Sequence, residues 1–192
     1  MLLVVLSAVL TFTVLIFLIA YILIHGIPYI KPSLFSLTYT SENASLMPAL
    51  INTIAMTFLS LVIAVPFGIF SAIFLVEYAG RGNKFVEIIR LTTETLSGIP
   101  SIVYGFFGLV VLVPALQAMF GSGKSIVTAS IMLGIMILPT IISVSESSLR
   151  AVPESYYEGS LALGATHERS VFSAVFPAAR SGILAGIILG VG

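Results

Sequence analysis

Four stretches of this sequence, Met1–Ile24, Asn43–Val76, Thr95–Gly123 and Ser125–Ser145, contain no charged residue. A helix crosses the hydrocarbon core of a bilayer with about 20 apolar residues, so each stretch is long enough to span it. Inside hydrocarbon every backbone N–H and C=O must be satisfied internally, which restricts such runs to helices. A fifth run, Ser181–Gly192, is expected to be the start of another span, because twelve residues reach only about 18 Å as a helix. The expected fold is all-α: a polytopic transmembrane helix bundle with four complete spans plus the start of a fifth. Residues 1–192 are read as a single, incomplete membrane domain.

Composition supports this solvent assignment and narrows the chemistry. Charged residues make up 8% of the chain, against roughly 25% in soluble domains, and mean hydropathy is +1.17. Zero net charge leaves no basic field for nucleic acid. The absence of cysteine excludes disulfides, thiol nucleophiles and thiolate metal sites. There is no Asp and no G-x-S-x-G, and the only imidazoles, His25 and His167, are expected on opposite sides of the membrane. An enzyme, a metal site or a bound cofactor is therefore not expected. Met1–Ile24 lacks the basic start of a cleaved signal peptide and exceeds its apolar core of about 7–15 residues, so it is read as a retained span.

With the N-terminus cytoplasmic, residues 77–94 and 146–180 fall on the inner side. They carry Arg81, Lys84, Arg90, Arg150, Arg169 and Arg180, against Lys31 and Lys124 outside. That excess follows the positive-inside rule. The loop around Gly26–Ser45, with Pro28, Tyr29, Pro32, Phe35 and Tyr39, suits an interfacial segment, and the sequon-like Asn43-Ala44-Ser45 is read as a polar helix start.

Pro66, Pro100, Pro114 and Pro139 interrupt the apolar runs. Each frees a carbonyl that hydrocarbon does not answer, so these positions are expected to face inward. Ser97-Gly98-Ile99-Pro100-Ser101 combines a flexible residue, a break and two hydroxyls. Ser97, Gly98, Pro100 and Ser101 are therefore read as bordering a translocation path.

The most polar part of the chain is Glu146–Arg180, far longer than the roughly 2–8 residues that usually connect two helices. Pro153 suits the first turn of a helix, Glu154 suits its N-terminal dipole, and Pro177 is expected to end the element. Within it, Glu158-Gly159-Ser160, then Gly164-Ala165, then Phe176-Pro177 resembles the coupling loop of binding-protein-dependent ABC importer permeases. The resemblance implies a coupling helix at Tyr156–Thr166 that sits in a cleft of an ATPase subunit, with Glu158, Gly159, Ser160, Gly164, Ala165 and Pro177 as its residues. Gly159 departs from the Ala more usual in that family.

Further runs resemble the phosphate-specific transport (Pst) permeases, of the PstA and PstC types. They are Ala64–Gly68, Val76–Ala79, Glu94–Gly105 and Ile137–Thr140, with Gly98-Ile99-Pro100-Ser101-Ile102-Val103-Tyr104-Gly105 the sharpest. The Ser41–Gly108 half is more like PstA and Val144–Gly192 more like PstC. This resemblance implies import of inorganic phosphate delivered by an extracytoplasmic phosphate-binding protein. It also implies a second permease subunit, two ATPase subunits and a multi-pass location in the cell membrane. In that family the fifth span continues into an Arg…Gly-Glu segment, which lies beyond Gly192. Alternatives are a permease for another oxyanion, sulfate or molybdate, and a membrane scaffold.

Three lesser patterns are given structural readings. Gly121-Ser122-Gly123-Lys124-Ser125 lacks the first glycine of a P-loop and is read as a turn, which leaves nucleotide binding to a separate subunit. Arg90 with Glu94, and Glu146 with Arg150, are spaced as i,i+4 ion pairs, with a gate latch as the functional alternative. Gly182, Gly186 and Gly190 share one helix face and are read as a close-packing stripe within the chain's own bundle.

Overall fold

The computed structural model describes residues 1–41, 45–78, 84–121 and 123–192. Asn43 and Ala44 of the sequon, Ala79, Arg81 and Ser122 lie outside the described residues. The chain divides into two compact units, Met1–Asn52 and Thr53–Gly192. No strand occurs among the described residues, and five helices are long and apolar enough to cross a membrane.

In the first unit, α1 (Leu2–Gly26) is apolar on every side, the pattern of a helix solvated by lipid. It runs into two short 3₁₀ turns, Ile27–Tyr29 and Pro32–Phe35, each with a proline at its start. The Leu46 N–H donates to the Leu34 carbonyl at 2.8 Å and closes the loop. Tyr29, Phe35 and Tyr39 leave their rings exposed, as an interfacial segment requires.

The second unit contains most of α2 (Met47–Tyr78), then α3 (Lys84–Ser97), α4 (Ser101–Phe120), α5 (Ile126–Arg150), α6 (Glu154–Ala162) and α7 (His167–Val191). Ser125 caps α5, its hydroxyl accepting from the Thr128 N–H at 3.3 Å. The core lies between α5 and α7, where Leu149 is buried with Val175, Ala179 and Ile183, and Ala72 and Ile73 of α2 pack onto the same cluster. The glycine stripe of α7 does lie in this contact. A Cβ on Gly182 would strike the Ser148 side chain, and one on Gly186 would lie 2.9 Å from Val144. Gly182→Val is expected to lower stability by about 1–3 kcal/mol, the usual cost of overpacking. A thermal shift of the detergent-solubilised chain measures it, and an unchanged transition would remove this contact from the core.

Three expectations are corrected. The fifth helix begins at His167, not Ser181, so the apolar run is the second half of a 25-residue helix that also contains Arg169 and Arg180. Pro177 does not end an element, because a π turn at Val171–Val175 carries the helix through it. There the Phe176 N–H donates to the Val171 carbonyl, five residues back. Pro114 in α4 follows an identical device at Gly108–Leu112, where the Val113 N–H reaches Gly108. The wider turn re-pairs backbone groups that proline disturbs. Of the four prolines expected to face inward, only Pro139 is buried; Pro66, Pro100 and Pro114 are exposed in this chain.

Candidate coupling segment and translocation break

α6 starts where the sequence places it, with Pro153 at its N-cap and Glu154 in its first turn. It stops at Ala162, earlier than the expected Thr166, and its ending explains the Gly164 position. Gly164 has φ +84°, the left-handed region that glycine enters without steric cost. The Gly164 N–H donates to the Leu161 carbonyl at 2.8 Å and the Ala165 N–H to the Ser160 carbonyl at 3.2 Å. This pair of bonds is a Schellman cap. Ser160, Gly164 and Ala165 are thus brought together as the terminus of one helix.

Glu158 and Gly159 lie on the same helix and are exposed, with open space where a Gly159 Cβ would stand. Among the described residues Glu158 makes no ion pair. Tyr156 and Leu163 are also exposed, Leu163 at 90%, so α6 shows apolar and acidic groups together on a surface with no buried residue. Such a short helix suits docking into a groove on another protein. Pro177 is not part of this constellation, because it sits within α7.

In the sequence His167 stands out only as one of two imidazoles, yet in the structure it has partners in this segment. The Tyr157 hydroxyl and His167 Nδ1 share a hydrogen bond of 2.7 Å, and the Tyr78 ring meets the imidazole edge-on at 5.1 Å. His167 therefore ties α6 and the start of α7 to the end of α2. A Tyr and a His ten residues apart across a turn were the available signal. No cluster able to hold a metal ion occurs among the described residues.

The break expected at Ser97–Ser101 is present. α3 ends at Ser97, Pro100 takes an extended conformation at φ −59° and ψ 142°, and α4 starts at Ser101. Tyr104 is 6% exposed, and its hydroxyl donates to the Leu96 carbonyl at 2.7 Å, bridging the break. Ser97, Gly98, Pro100 and Ser101 are all exposed. The Val103 N–H donates to the Pro100 carbonyl at 2.9 Å, while the Ser101 and Ile102 N–H groups show no backbone partner among the described residues, which favours an anion near Ser101.

The cations are arranged differently from expectation. Arg90 pairs with Glu146 of α5, Nη2 to Oε1 at 2.6 Å, instead of with Glu94. Arg150 grips the same oxygen through Nε at 3.1 Å and Nη2 at 3.0 Å, as its i,i+4 spacing predicts. Two guanidinium groups on one carboxylate join α3 to α5. Sequence spacing pointed to Glu94, but tertiary packing brought Glu146 closer.

A model of the family described as binding-protein-dependent transport system inner membrane component matches residues 64–192. The chain is 40% identical over 156 residues to the probable ABC transporter permease protein YqgH of Bacillus subtilis strain 168, covering 80% of this chain and 50% of that protein. It is 34% identical over 153 residues to the phosphate transport system permease protein PstC 2 of Mycobacterium tuberculosis strain H37Rv, covering 69% and 47%. To the phosphate transport system permease protein PstA 1 of the same strain it is 33% identical over 143 residues, covering 74% and 44%. The chain spans about half the length of these curated relatives.

Proposed function

The chain belongs to the family of binding-protein-dependent transport system inner membrane components, and from that premise we propose that it is a permease subunit of an ATP-driven importer of inorganic phosphate. In this reading phosphate arrives from an extracytoplasmic binding protein and crosses between this chain and a second permease subunit. Two ATPase subunits supply the energy. The observation that carries the reading is α6, a Schellman-capped and exposed helix that presents Glu158 and Gly159 beside Tyr156 and Leu163. When the ATPases close, they displace α6, and its His167 tie passes the movement to α2 and α7 as a rigid-body shift. The break at Ser97–Ser101 borders the path, where α4's first N–H groups and the Ser97 and Ser101 hydroxyls meet the anion.

Phosphate as substrate is supported by two relatives named as phosphate permeases and by the Gly98–Gly105 run. The test is uptake by cells whose own phosphate importers are deleted, with this chain expressed alongside its partner subunits. Phosphate accumulation that depends on the binding protein is expected. Sulfate or molybdate accumulation in its place would give the chain to another oxyanion.

The inner placement of α6 is part of the same proposal. Arg180 lies well inside α7, but Arg169 sits in its first turn and, with Lys84, Arg90 and Arg150, still outnumbers Lys31 and Lys124 on the opposite side. The chain has no cysteine, so single replacements at Lys124 and Ser155 report cleanly. In intact cells an impermeant thiol reagent is expected to label the first and spare the second. The reverse pattern would invert the topology and place α6 out of reach of an ATPase.

A further inference from the structure

We propose that Arg90 and Ser143 form a binding station for a tetrahedral oxyanion, inorganic phosphate in the first instance, at the junction of α3 and α5. This rests on the reading of the chain as an oxyanion permease and names residues for it that neither the coupling segment nor the Ser97–Ser101 break includes.

On α5, Thr140, Ser143, Ser147 and Arg150 are all exposed, and their spacing puts them on one side. Ile141, Ser145 and Leu149, which are buried, occupy the opposite side. Polar and charged groups along a membrane helix are disfavoured against acyl chains and characteristically face a water-filled path. The stripe leads to a pocket whose polar lining is Ser143, Glu146, Arg90, Thr93 and Glu94, set against Leu75 and Ile142.

Within the pocket the free donors can be identified. Thr93 commits its hydroxyl to the Ile89 carbonyl at 2.9 Å. Ser143 makes no side-chain hydrogen bond among the described residues, and Arg90 engages Glu146 through Nη2 alone. A guanidinium carries five N–H donors in a planar fork that matches oxyanion geometry, so most of its capacity remains. Glu146 is held independently by Arg150 through two bonds. An arriving oxyanion therefore takes Arg90 without leaving the Glu146 carboxylate unneutralised. Glu94 lines the same pocket and repels an anion, which keeps binding weak enough for release, as conduction requires.

The test uses the assembled transporter in native membranes with Ser143→Cys, the only thiol on this chain. An anionic methanethiosulfonate is expected to label it, phosphate is expected to slow labelling several-fold, and both are followed by the mass of this subunit. Arg90→Gln in that background is expected to abolish the protection and to lower uptake roughly 10- to 100-fold, the worth of one charge-assisted donor. Glu146→Gln breaks the same ion pair but keeps Arg90, and is expected to retain protection. Equal loss of protection in both variants would reduce Arg90 to a structural partner of Glu146 and overturn the station. Absence of labelling at Ser143→Cys would also overturn it. If sulfate is carried and protects while phosphate does neither, the station stands and the substrate assignment fails. If phosphate is carried but protects nothing, the station fails and the assignment stands.

Discussion

Gly164→Val is expected to abolish uptake while leaving the chain in the membrane. The backbone at Gly164 lies at φ +84°, where a Cβ meets the neighbouring carbonyl at a cost of about 1–2 kcal/mol, and a β-branched side chain is a poorer fit still. No neighbouring side chain fills the space around Gly164, so the penalty is conformational and not a clash. The Schellman bonds from Gly164 and Ala165 are then lost together, each worth about 0.5–1.5 kcal/mol. The end of α6 unwinds, and the surface proposed to meet the ATPase loses its shape. None of these residues lies within a run able to span the membrane, so insertion is unaffected. A graded series separates geometry from volume: Gly164→Asn, which tolerates left-handed backbone, should keep more uptake than Gly164→Ala, and Gly164→Val should keep none. Glu158→Lys reverses an exposed charge without touching the cap and is expected to weaken co-purification of the ATPase. Normal uptake with both Gly164→Val and Glu158→Lys would leave α6 as a surface helix without a transport role.

Tyr104→Ala is expected to be the most destabilising single change near the break. The ring is 6% exposed, and truncating a buried aromatic costs about 3–5 kcal/mol. Its hydroxyl is the bridge to the Leu96 carbonyl across Ser97–Pro100. Tyr104→Phe isolates that bond, and its loss is expected to cost about 0.5–1.5 kcal/mol, because the Leu96 carbonyl keeps the Ile99 N–H at 3.2 Å. Thermal inactivation of the purified transporter, read alongside uptake, should rank wild type above Phe above Ala. If Tyr104→Phe matches wild type in both measurements, the break is held by the chain on either side of it and not by this bond.

Most of the fold could be read from the sequence because hydrocarbon admits so few backbone solutions. Charge-free runs predicted α1, most of α2 and α5 closely, since length and apolarity suffice there. Pro153, Glu154 and Gly164 predicted α6, because capping chemistry is local. Where the outcome depended on a choice between equally local options, the sequence was insufficient. Pro177 reads as a stop because an α-helix cannot accommodate it freely, yet a π turn does so. Ser181 reads as a start because Arg180 precedes it, although a helix of this kind can carry Arg169 and Arg180. The Arg90–Glu146 pair joins residues far apart in sequence, and no spacing rule favours it over Glu94. The bond of His167 to Tyr157 is local, but its contact with α2 comes through Tyr78, which is remote in sequence.

The π turn at Val171–Val175 gives α7 a phase as well as a length. It holds one residue more than an α-helical turn, and each residue of a helix advances the azimuth by about 100°. Gly182, Gly186 and Gly190 meet α5 only because that residue is counted. Deleting one residue between Val171 and Val175 would leave every contact partner in the chain but misalign the two halves of the helix. With the glycines locked against Ser148 and Val144, the rotation would pass toward His167 and turn α6 like a crank.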